Sequence, residues 1–438
     1  MKTSLFGGPL ARSLARHGAF LFLLLAAAFG CDRLTPESTR HRDDTFLRHD
    51  GDRPPRGGLA TDSTGGPVVI PSDGLFVTVV AYPDGYDWRR DTARGDIRGQ
   101  LLLLRLRDGA AAFDTVLALE AGAGRPVSLD PDRHQFIGGH LYTQSVSEAG
   151  TVYRRDGRTV FLSQEREYLR GILALDEHLY TLAQRLDGAG GFVLRRNWNP
   201  VLTREGGRIH GSFGEPSFGP GGALFADGGE PCFFYEKEGE WLLVRDGKEE
   251  SVTLPNRITQ LYDIRCFDGV TCLACRWKKR EPVLYVGSKK YDLSTTLMVS
   301  AQKSGFRLLR ADKGIRVSGS IRLNYNQRLY TALWSEKSML KTLEGRCDWL
   351  PDATGTEMLA YVRKEDGRVT TAGVGQTLYT IENGGTLMMP QCACLTGDRL
   401  YLALTGPSHP ILWVNGQSIP LPLNGFPTSV TLIGNPPN

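Results

Sequence analysis

Two identical tetrapeptides, His140-Leu141-Tyr142-Thr143 and His178-Leu179-Tyr180-Thr181, stand 38 residues apart. Leu329-Tyr330-Thr331, Leu378-Tyr379-Thr380 and Leu400-Tyr401-Leu402 echo them further on. Apolar and aromatic residues grouped in this way read as strands. A second element recurs beside the first, a hairpin with a two-residue tip. Ile411-Leu412-Trp413-Val414-Asn415-Gly416-Gln417-Ser418-Ile419 is its clearest copy. Asn-Gly and Asp-Gly tolerate the positive φ angles of a type I′ turn, whose twist matches that of the flanking strands. Trp241 to Gly247, Val152 to Gly157 and Leu104 to Gly109 have the same form. Gly109, Gly157 and Gly247 lie 48 and 90 residues apart, and Asn197-Trp198-Asn199-Pro200 falls near the middle of the longer interval. Gly367 and Gly416 are 49 apart.

Short strands repeating every roughly 40–50 residues, with helical periodicity nearly absent after residue 68, are the pattern of propeller blades. The 52 glycines and 24 prolines also exclude a helix bundle. The expected fold is therefore all-β, a β-propeller of seven or eight four-stranded blades. Innermost strands are expected to start near 75, 141, 179, 223, 270, 316 to 329, 359 and 400. Two β-sandwiches would need no such echo, and a β-solenoid would need a shorter period. The unit from Leu400 to Leu432 resembles a repeat of bacterial lipoprotein propellers. In that repeat a Tyr strand precedes Leu-Trp-x-Asn-Gly and a later Ser/Thr-Val strand. The matching residues here are Leu400-Tyr401-Leu402, Leu412-Trp413-Val414-Asn415-Gly416 and Thr428-Ser429-Val430.

The N-terminus carries an address. Lys2, Arg12 and Arg16 precede an apolar run from Ala19 to Phe29, too short for a membrane span of about 20 residues. The run ends in Ala28-Phe29-Gly30-Cys31, which resembles a bacterial lipobox, with Ala28 where Leu is commoner. That resemblance implies a diacylglyceryl group on Cys31 and cleavage before it. The other reading is an ordinary secretory signal with Cys31 incidental. The expected organisation is a lipoprotein signal peptide over 1–30, a flexible linker over 31–67 and the propeller over 68–438. Thr35 to Arg40 and Gly51 to Gly58 are polar and rich in turn formers, too poor in apolar surface to offset the entropy of ordering. The expected location is the cell envelope, on its periplasmic or surface side, with the N-terminal lipid as the membrane attachment.

Charge narrows the partners. The formal charge is +4, but the first thirty residues hold three basic and no acidic residues, which leaves 49 basic against 48 acidic. No nucleic-acid partner is expected from such a balance. Nor is a cofactor or a metal site expected. Cys272-Leu273-Ala274-Cys275 has half-site spacing, but its surroundings read as strand, where an interval of three puts the thiols on opposite faces. No second Cys-x-x-Cys supplies further ligands. Cys266 and Cys272 flank Phe267-Asp268-Gly269, so a local disulfide and two core thiols both fit. His140 and His178, matched by Arg328 and Arg399 in other copies, read as solvated strand starts.

No Gly-x-Ser-x-Gly elbow, His-Glu-x-x-His helix, phosphate loop or sialidase Asp-box is present, so no catalytic residue is assigned. Glu215, Asp227, Glu230 and Asp263 are acids that a glycosidase could use, and simple solvated charges otherwise. The candidate ligand-binding residues are Tyr82, Tyr86 and Trp88, within the turn-rich segment Tyr82-Pro83-Asp84-Gly85-Tyr86-Asp87-Trp88 between two predicted strands. Loop aromatics stack on sugar rings or anchor a protein partner, or else pack back over the first blade. Two functions follow as expectations: a tethered binding or scaffolding module for a glycan or an envelope protein, and alternatively a carbohydrate-active hydrolase or lyase.

Overall fold

The computed structural model describes residues 70–434 except 90–96, 108–110, 123, 187–189, 211–222, 278–280, 294–297, 302–305, 312–313, 324–327, 352–358, 383–384, 389, 407 and 422. The expected signal peptide, Cys31 and the expected linker lie outside the described residues. Residues 54–438 form one compact unit.

That unit is an eight-bladed β-propeller, each blade a separate antiparallel sheet. In blade 1 the C-terminal strand Gly425–Ile433 is innermost, followed outward by Gly74–Ala81, Arg98–Leu106 and Phe113–Gly122. Blade 2 runs His134–Ile137, His140–Ser147, Gly150–Arg155 and Arg158–Ser163. Blade 3 runs Glu167–Leu175, His178–Arg185, Gly191–Arg196 and Asn199–Glu205. In blade 4 the inner position is shared by Arg208–His210 and Phe225–Asp227, both paired with Glu230–Lys237, before Glu240–Arg245 and Lys248–Val252. Blade 5 runs Ile258–Phe267, Val270–Trp277, Glu281–Val286 and Lys289–Asp292. Blade 6 again divides its inner position, between Met298–Ala301 and Arg307–Ala311, then continues through Gly314–Leu323, Leu329–Ser335 and Met339–Glu344. Blade 7 runs Arg346–Pro351, Leu359–Glu365, Arg368–Val374 and Thr377–Thr380. Blade 8 runs Ala393–Thr396, Arg399–Leu404, Ile411–Val414 and Gln417–Pro420. The register Gly74↔Ile433 to Ala81↔Gly425 closes the ring by joining its two ends in one sheet.

The sequence expectation about innermost strands needs correction. Of the eight expected starts only 223 opens an inner strand. Those near 75, 141, 179, 270, 316, 359 and 400 begin second strands, and 329 begins a third. The cause is burial on two sides. Every residue of Gly74–Ala81 is buried. Leu75, Val77 and Val79 pack into a cluster shared with blades 7 and 8, while Phe76 and Val80 join one shared with blade 2. A strand covered on both faces is apolar throughout and dominates the sequence pattern. Inner strands are shorter or irregular, with register breaks at Leu169/Gly171 and Ile258/Gln260.

The repeated tetrapeptide and the Asx-Gly tip are two halves of one fastening. In blade 2 the Asp156 carboxylate accepts the Leu141 backbone N–H at 2.8 Å, and Asp156 N–H donates to Leu141 C=O at 2.8 Å. In blade 3 Asn197 makes the same pair of bonds with Leu179, and in blade 8 the Asn415 amide oxygen accepts from Leu400 N–H at 2.9 Å. The tip of the outer hairpin thus ties down the start of the second strand. Blade 4 has Pro231 at that start, with no N–H to give, and keeps only the bond from Asp246 N–H to Pro231 C=O. His140 and His178 begin their strands as expected and add to the fastening, with Nδ1 2.7 Å from Asp156 Oδ2 and 3.0 Å from Asn197 Nδ2. At these tips φ is positive in both residues, 53° and 81° for Asp156-Gly157 and 43° and 98° for Asn415-Gly416. Blade 3 puts Trp198 at the second position with φ 68°, a conformation a bulky side chain avoids. Its ring lies 5.6 Å from Phe161 in a near-parallel stack and 5.3 Å from Tyr153, which offsets the strain.

The cysteines are placed by the same sheets. Cys272 faces the layer between blades 5 and 6, and Cys275 the layer between blades 4 and 5, so they point to opposite faces. Cys272 sits opposite Arg265 in the ladder rather than opposite Cys266. Cys232, Cys266, Cys272, Cys275 and Cys347 are free, buried thiols. Burial pushes Cys272 and Cys275 up to about 12, which keeps them protonated and unreactive.

Candidate functional site

In a four-stranded antiparallel meander, first-to-second and third-to-fourth turns fall at one end of the blade. Second-to-third loops and the passages to the next blade fall at the other. The first end carries two-residue tips in blades 2, 3, 4 and 8. The second carries longer excursions, including the one that begins at 82–89 in blade 1, the one around Ser408 and His409 in blade 8 and the passage through Leu423 and Asn424 into the closing strand. These three meet and enclose an open cleft of about 440 Å³, lined among others by Tyr86, Trp88, Arg89, His409 and Asn424.

The sequence-predicted aromatics are in this cleft or directly beneath it. Tyr82 and Trp88 pack on Phe426 of the closing strand, with ring centroids at 6.2 and 5.0 Å, and Tyr86 lies 5.1 Å from Tyr82. Both readings of the segment therefore apply to different residues. Tyr82 is mainly a floor, and its phenol is pushed up to about 12 by burial, then by neighbouring Tyr86. Tyr86 and Trp88 are half-buried and line the opening.

Distant residues fix the loop. The Asn424 side-chain amide donates to Pro83 C=O at 2.9 Å and to Tyr86 C=O at 2.8 Å, using both its N–H groups. The Asn424 carbonyl accepts from Tyr82 N–H at 2.7 Å. Arg89 lies over the Trp88 ring at 4.8 Å and donates from Nη2 to Gly406 C=O at 2.6 Å. His409 is exposed at the rim, its Nδ1 3.4 Å from Leu423 C=O. An aromatic wall, a guanidinium, an imidazole and a fixed loop backbone are suited to binding by stacking and hydrogen bonding. Sequence reasoning missed Arg89, His409 and Asn424. Nothing local marks Asn424 as a partner of Tyr86, because they meet only through ring closure, 338 positions apart.

Of the acids raised as catalytic alternatives, Asp227, Glu230 and Asp263 fall elsewhere. Asp227 is buried and accepts from Arg245 Nη1 at 2.8 Å and from Gly269 N–H at 3.0 Å, which ties blade 5 to blade 4. Asp263 is buried and accepts the backbone N–H of Ile264 and of Leu308, each at 2.9 Å. Burial pushes its carboxyl above the usual range against the pull of Arg265. Glu230 begins the second strand of blade 4, and Glu215 lies outside the described residues. Among the described residues no group of three or more His, Cys, Asp or Glu side chains is placed to hold a metal ion.

No protein-family model and no curated protein matches the chain. Among solved structures it is similar to the dihydro-heme d1 dehydrogenase NirN in complex with DHE, at 11% identity over 88% of this chain and 84% of that one, with a TM-score of 0.49. It is also similar to a quinonprotein alcohol dehydrogenase-like protein from Bacteroides thetaiotaomicron VPI-5482, at 9% identity over 82% and 92% of the two chains, with a TM-score of 0.32. Quinohemoprotein alcohol dehydrogenase ADHIIG from Pseudomonas putida HK5 follows at 9% identity over 82% and 68%, with a TM-score of 0.30. Likenesses this distant transfer neither a ligand nor an activity to this chain.

Proposed function

We propose that this chain is a lipid-tethered cell-envelope β-propeller whose loop-bearing face binds a saccharide in the Tyr86–Trp88 cleft. The observation that carries the binding site is the fixed aromatic loop. Asn424 and Arg89 hold Tyr86 and Trp88 in place before any ligand arrives, so little ordering entropy opposes binding. A glycan array probed with the detergent-purified chain is expected to give saccharide binding that Trp88→Ala weakens at least about tenfold, the loss of one good stacking contact. Arg89→Ala, at an exposed position, repeats the test should Trp88→Ala destabilise blade 1. Capture of an envelope protein through the same residues, without saccharide binding, would replace the glycan by a protein partner. Binding unaffected by both variants would overturn the site.

The tether rests on the apolar run and on Gly30-Cys31. Mass spectrometry is expected to find an acylated N-terminal peptide beginning at Cys31, and Cys31→Ser is expected to leave the membrane fraction. A freely soluble protein with an unmodified N-terminus elsewhere would refute it.

A further inference from the structure

We propose that Thr428 and His134 are positioning residues for the aromatic cleft: they hold a bulge in the closing strand that turns Phe426 under Trp88. The consequence for ligand binding rests on the saccharide reading of that cleft. Phe426 and Val430 are four apart and would share a face on a regular strand. Yet Phe426 joins the cluster shared with blade 2, and Val430 joins the one shared with blades 7 and 8. The ladder gives the reason. Thr78 pairs with Ser429 and Val79 with Pro427, which leaves Thr428 as an extra residue. One extra residue turns every side chain beyond it to the other face. Pro427 has no N–H to give and suits such a break. Without the bulge Phe426 would point towards blade 8, and Tyr82 and Trp88, 6.2 and 5.0 Å from its ring, would lose their floor.

Both neighbouring blades hold the bulge. Thr428 is buried, and its Oγ1 lies 2.8 Å from His134 Nε2 of blade 2 and donates to Thr78 C=O at 3.3 Å. Ser429 Oγ donates to Thr78 Oγ1 at 3.0 Å. From blade 8, Cys392 Sγ donates to Pro427 C=O at 3.4 Å. With the Thr428 hydrogen on Thr78, His134 donates from Nε2, as a neutral imidazole can. His134 thereby ties the inner strand of blade 2 to the residue that decides which way Phe426 faces.

A proton on His134 works against this arrangement. The two blade 1 strands beside it, Gly74–Ala81 and Gly425–Ile433, carry no ionisable side chain. Asp130 and Arg133, in the turn before it, pair with each other at 3.7 Å. The next strand of blade 2 carries His140 and Tyr142. The inner strand of blade 3 carries Glu167, Tyr168 and Arg170, with Glu167 held by Arg195 at 2.6 Å. Burial pushes the imidazole down to about 4, against a pull from the Asp130 backbone. Charge arriving in this layer draws water to it, so the bulge and the cleft floor loosen as pH falls through that value.

The test uses the full chain labelled with fluorotryptophan, and its first arm needs no ligand. The Trp88 fluorine resonance, assigned by its loss in Trp88→Phe, is expected to move in Thr428→Val at neutral pH. It is expected to return in Thr428→Ser, which keeps the hydroxyl. In the unmutated chain it is expected to move as pH falls to about 4, while buried Trp413 of blade 8 stays in place. His134→Asn is expected to abolish that pH response, and this titration decides alone if Thr428→Val does not fold. The second arm repeats the glycan array at neutral pH. Thr428→Val is expected to bind about fivefold more weakly, the loss of one hydrogen bond's worth of positioning, and Thr428→Ser is expected to bind normally. A Trp88 resonance indifferent to Thr428→Val and to pH, with array binding intact, would overturn the positioning role and leave the cleft standing. A resonance that responds as expected, with an array that shows no hits, would support the positioning role and remove the saccharide.

Discussion

The contact between blades 2 and 3 and the contact between blades 8 and 1 solve the same packing problem with opposite chemistry. Between blades 8 and 1 the layer is apolar: Leu75, Val77 and Val79 from blade 1 share a cluster with Leu400, Leu402, Leu404 and Leu412 from blade 8. Between blades 2 and 3 the centre is the fully buried Glu167 carboxylate. Two N–H groups of Arg195, at 2.6 and 3.0 Å, the Tyr153 hydroxyl at 2.9 Å and the Ser163 hydroxyl at 2.9 Å all donate to it. Thr151 Oγ1 accepts the Glu167 backbone N–H, and Gln144 donates to its C=O. The apolar layer is non-directional and stabilises in proportion to the area it buries. The polar one gains little net free energy, because desolvation offsets the attraction, but its donors and acceptors fit only one register. It fixes the start of the inner strand Glu167–Leu175 against blade 2.

Four experiments would break or sharpen this contrast. The largest effect is expected from Glu167→Ala, which leaves Arg195 buried without its partner and is expected to cost about 3–5 kcal/mol in denaturant unfolding. The double variant Glu167→Leu/Arg195→Met should recover much of that loss. If the double variant is as unstable as the single one, the network contributes stability beyond charge pairing. In the apolar layer Leu402→Ala is expected to cost about 3–4 kcal/mol through lost burial and a cavity, with no rescue by any charge change. A cost below about 1 kcal/mol would show that this layer collapses around the gap.

The contact between blades 1 and 2 offers a graded case. His134 is buried, its Nε2 is 2.8 Å from Thr428 Oγ1 on the closing strand, and burial pushes its imidazole down to about 4. The unfolded chain takes up this proton near pH 6.5, and the folded one refuses it until near pH 4. Stability is therefore complete above pH 6.5 and falls through that window by about 1.4 kcal/mol per unit, or about 2–3 kcal/mol by pH 4.5. Urea midpoints against pH should show the slope, and His134→Asn should flatten it. An unchanged slope in the variant would place the sensitivity elsewhere, with His210 next to examine because burial depresses it to about 4 as well. The smallest effect belongs to the fastening within a blade. Asn415→Gly keeps the positive φ and loses both the bond from Leu400 N–H and the one to Asp398 C=O, so about 1–2 kcal/mol is expected.

Much of the ring was legible in the sequence because its strongest signals are local. The Asx-Gly tips at Gly157, Gly247 and Gly416 needed only two residues with positive φ, and Asn197-Trp198 occupies the equivalent tip of blade 3. The spacing of Gly367 and Gly416 is of another kind, since Gly367 joins second and third strands and Gly416 third and outer ones. The Leu-Tyr strands at Leu141, Leu179 and Leu400 are second strands lying between blades, whereas Leu329-Tyr330 opens a third strand and Leu378-Tyr379, with Leu378 exposed, lies on an outermost one. Inner strands did not stand out, because Glu167, Asp227 and Asp263 replace apolar residues there and two inner positions are divided. The candidate cleft was half legible. Tyr82, Tyr86 and Trp88 announce a loop of unusual composition, but no local pattern says that Asn424 holds it.

The sequence by itself determined the repeating unit, its turns and the all-β class, since each depends on φ preferences and burial within about forty residues. It also carries the apolar run from Ala19 to Phe29 and Cys31. Only the tertiary structure decided the count of eight, the inward order of the strands, the chemistry between blades and the meeting of Asn424 with Tyr86. These arise when the strand Gly425–Ile433 pairs with Gly74–Ala81 and the ring closes. Closure brings together residues hundreds of positions apart, and no local preference encodes which of them will meet.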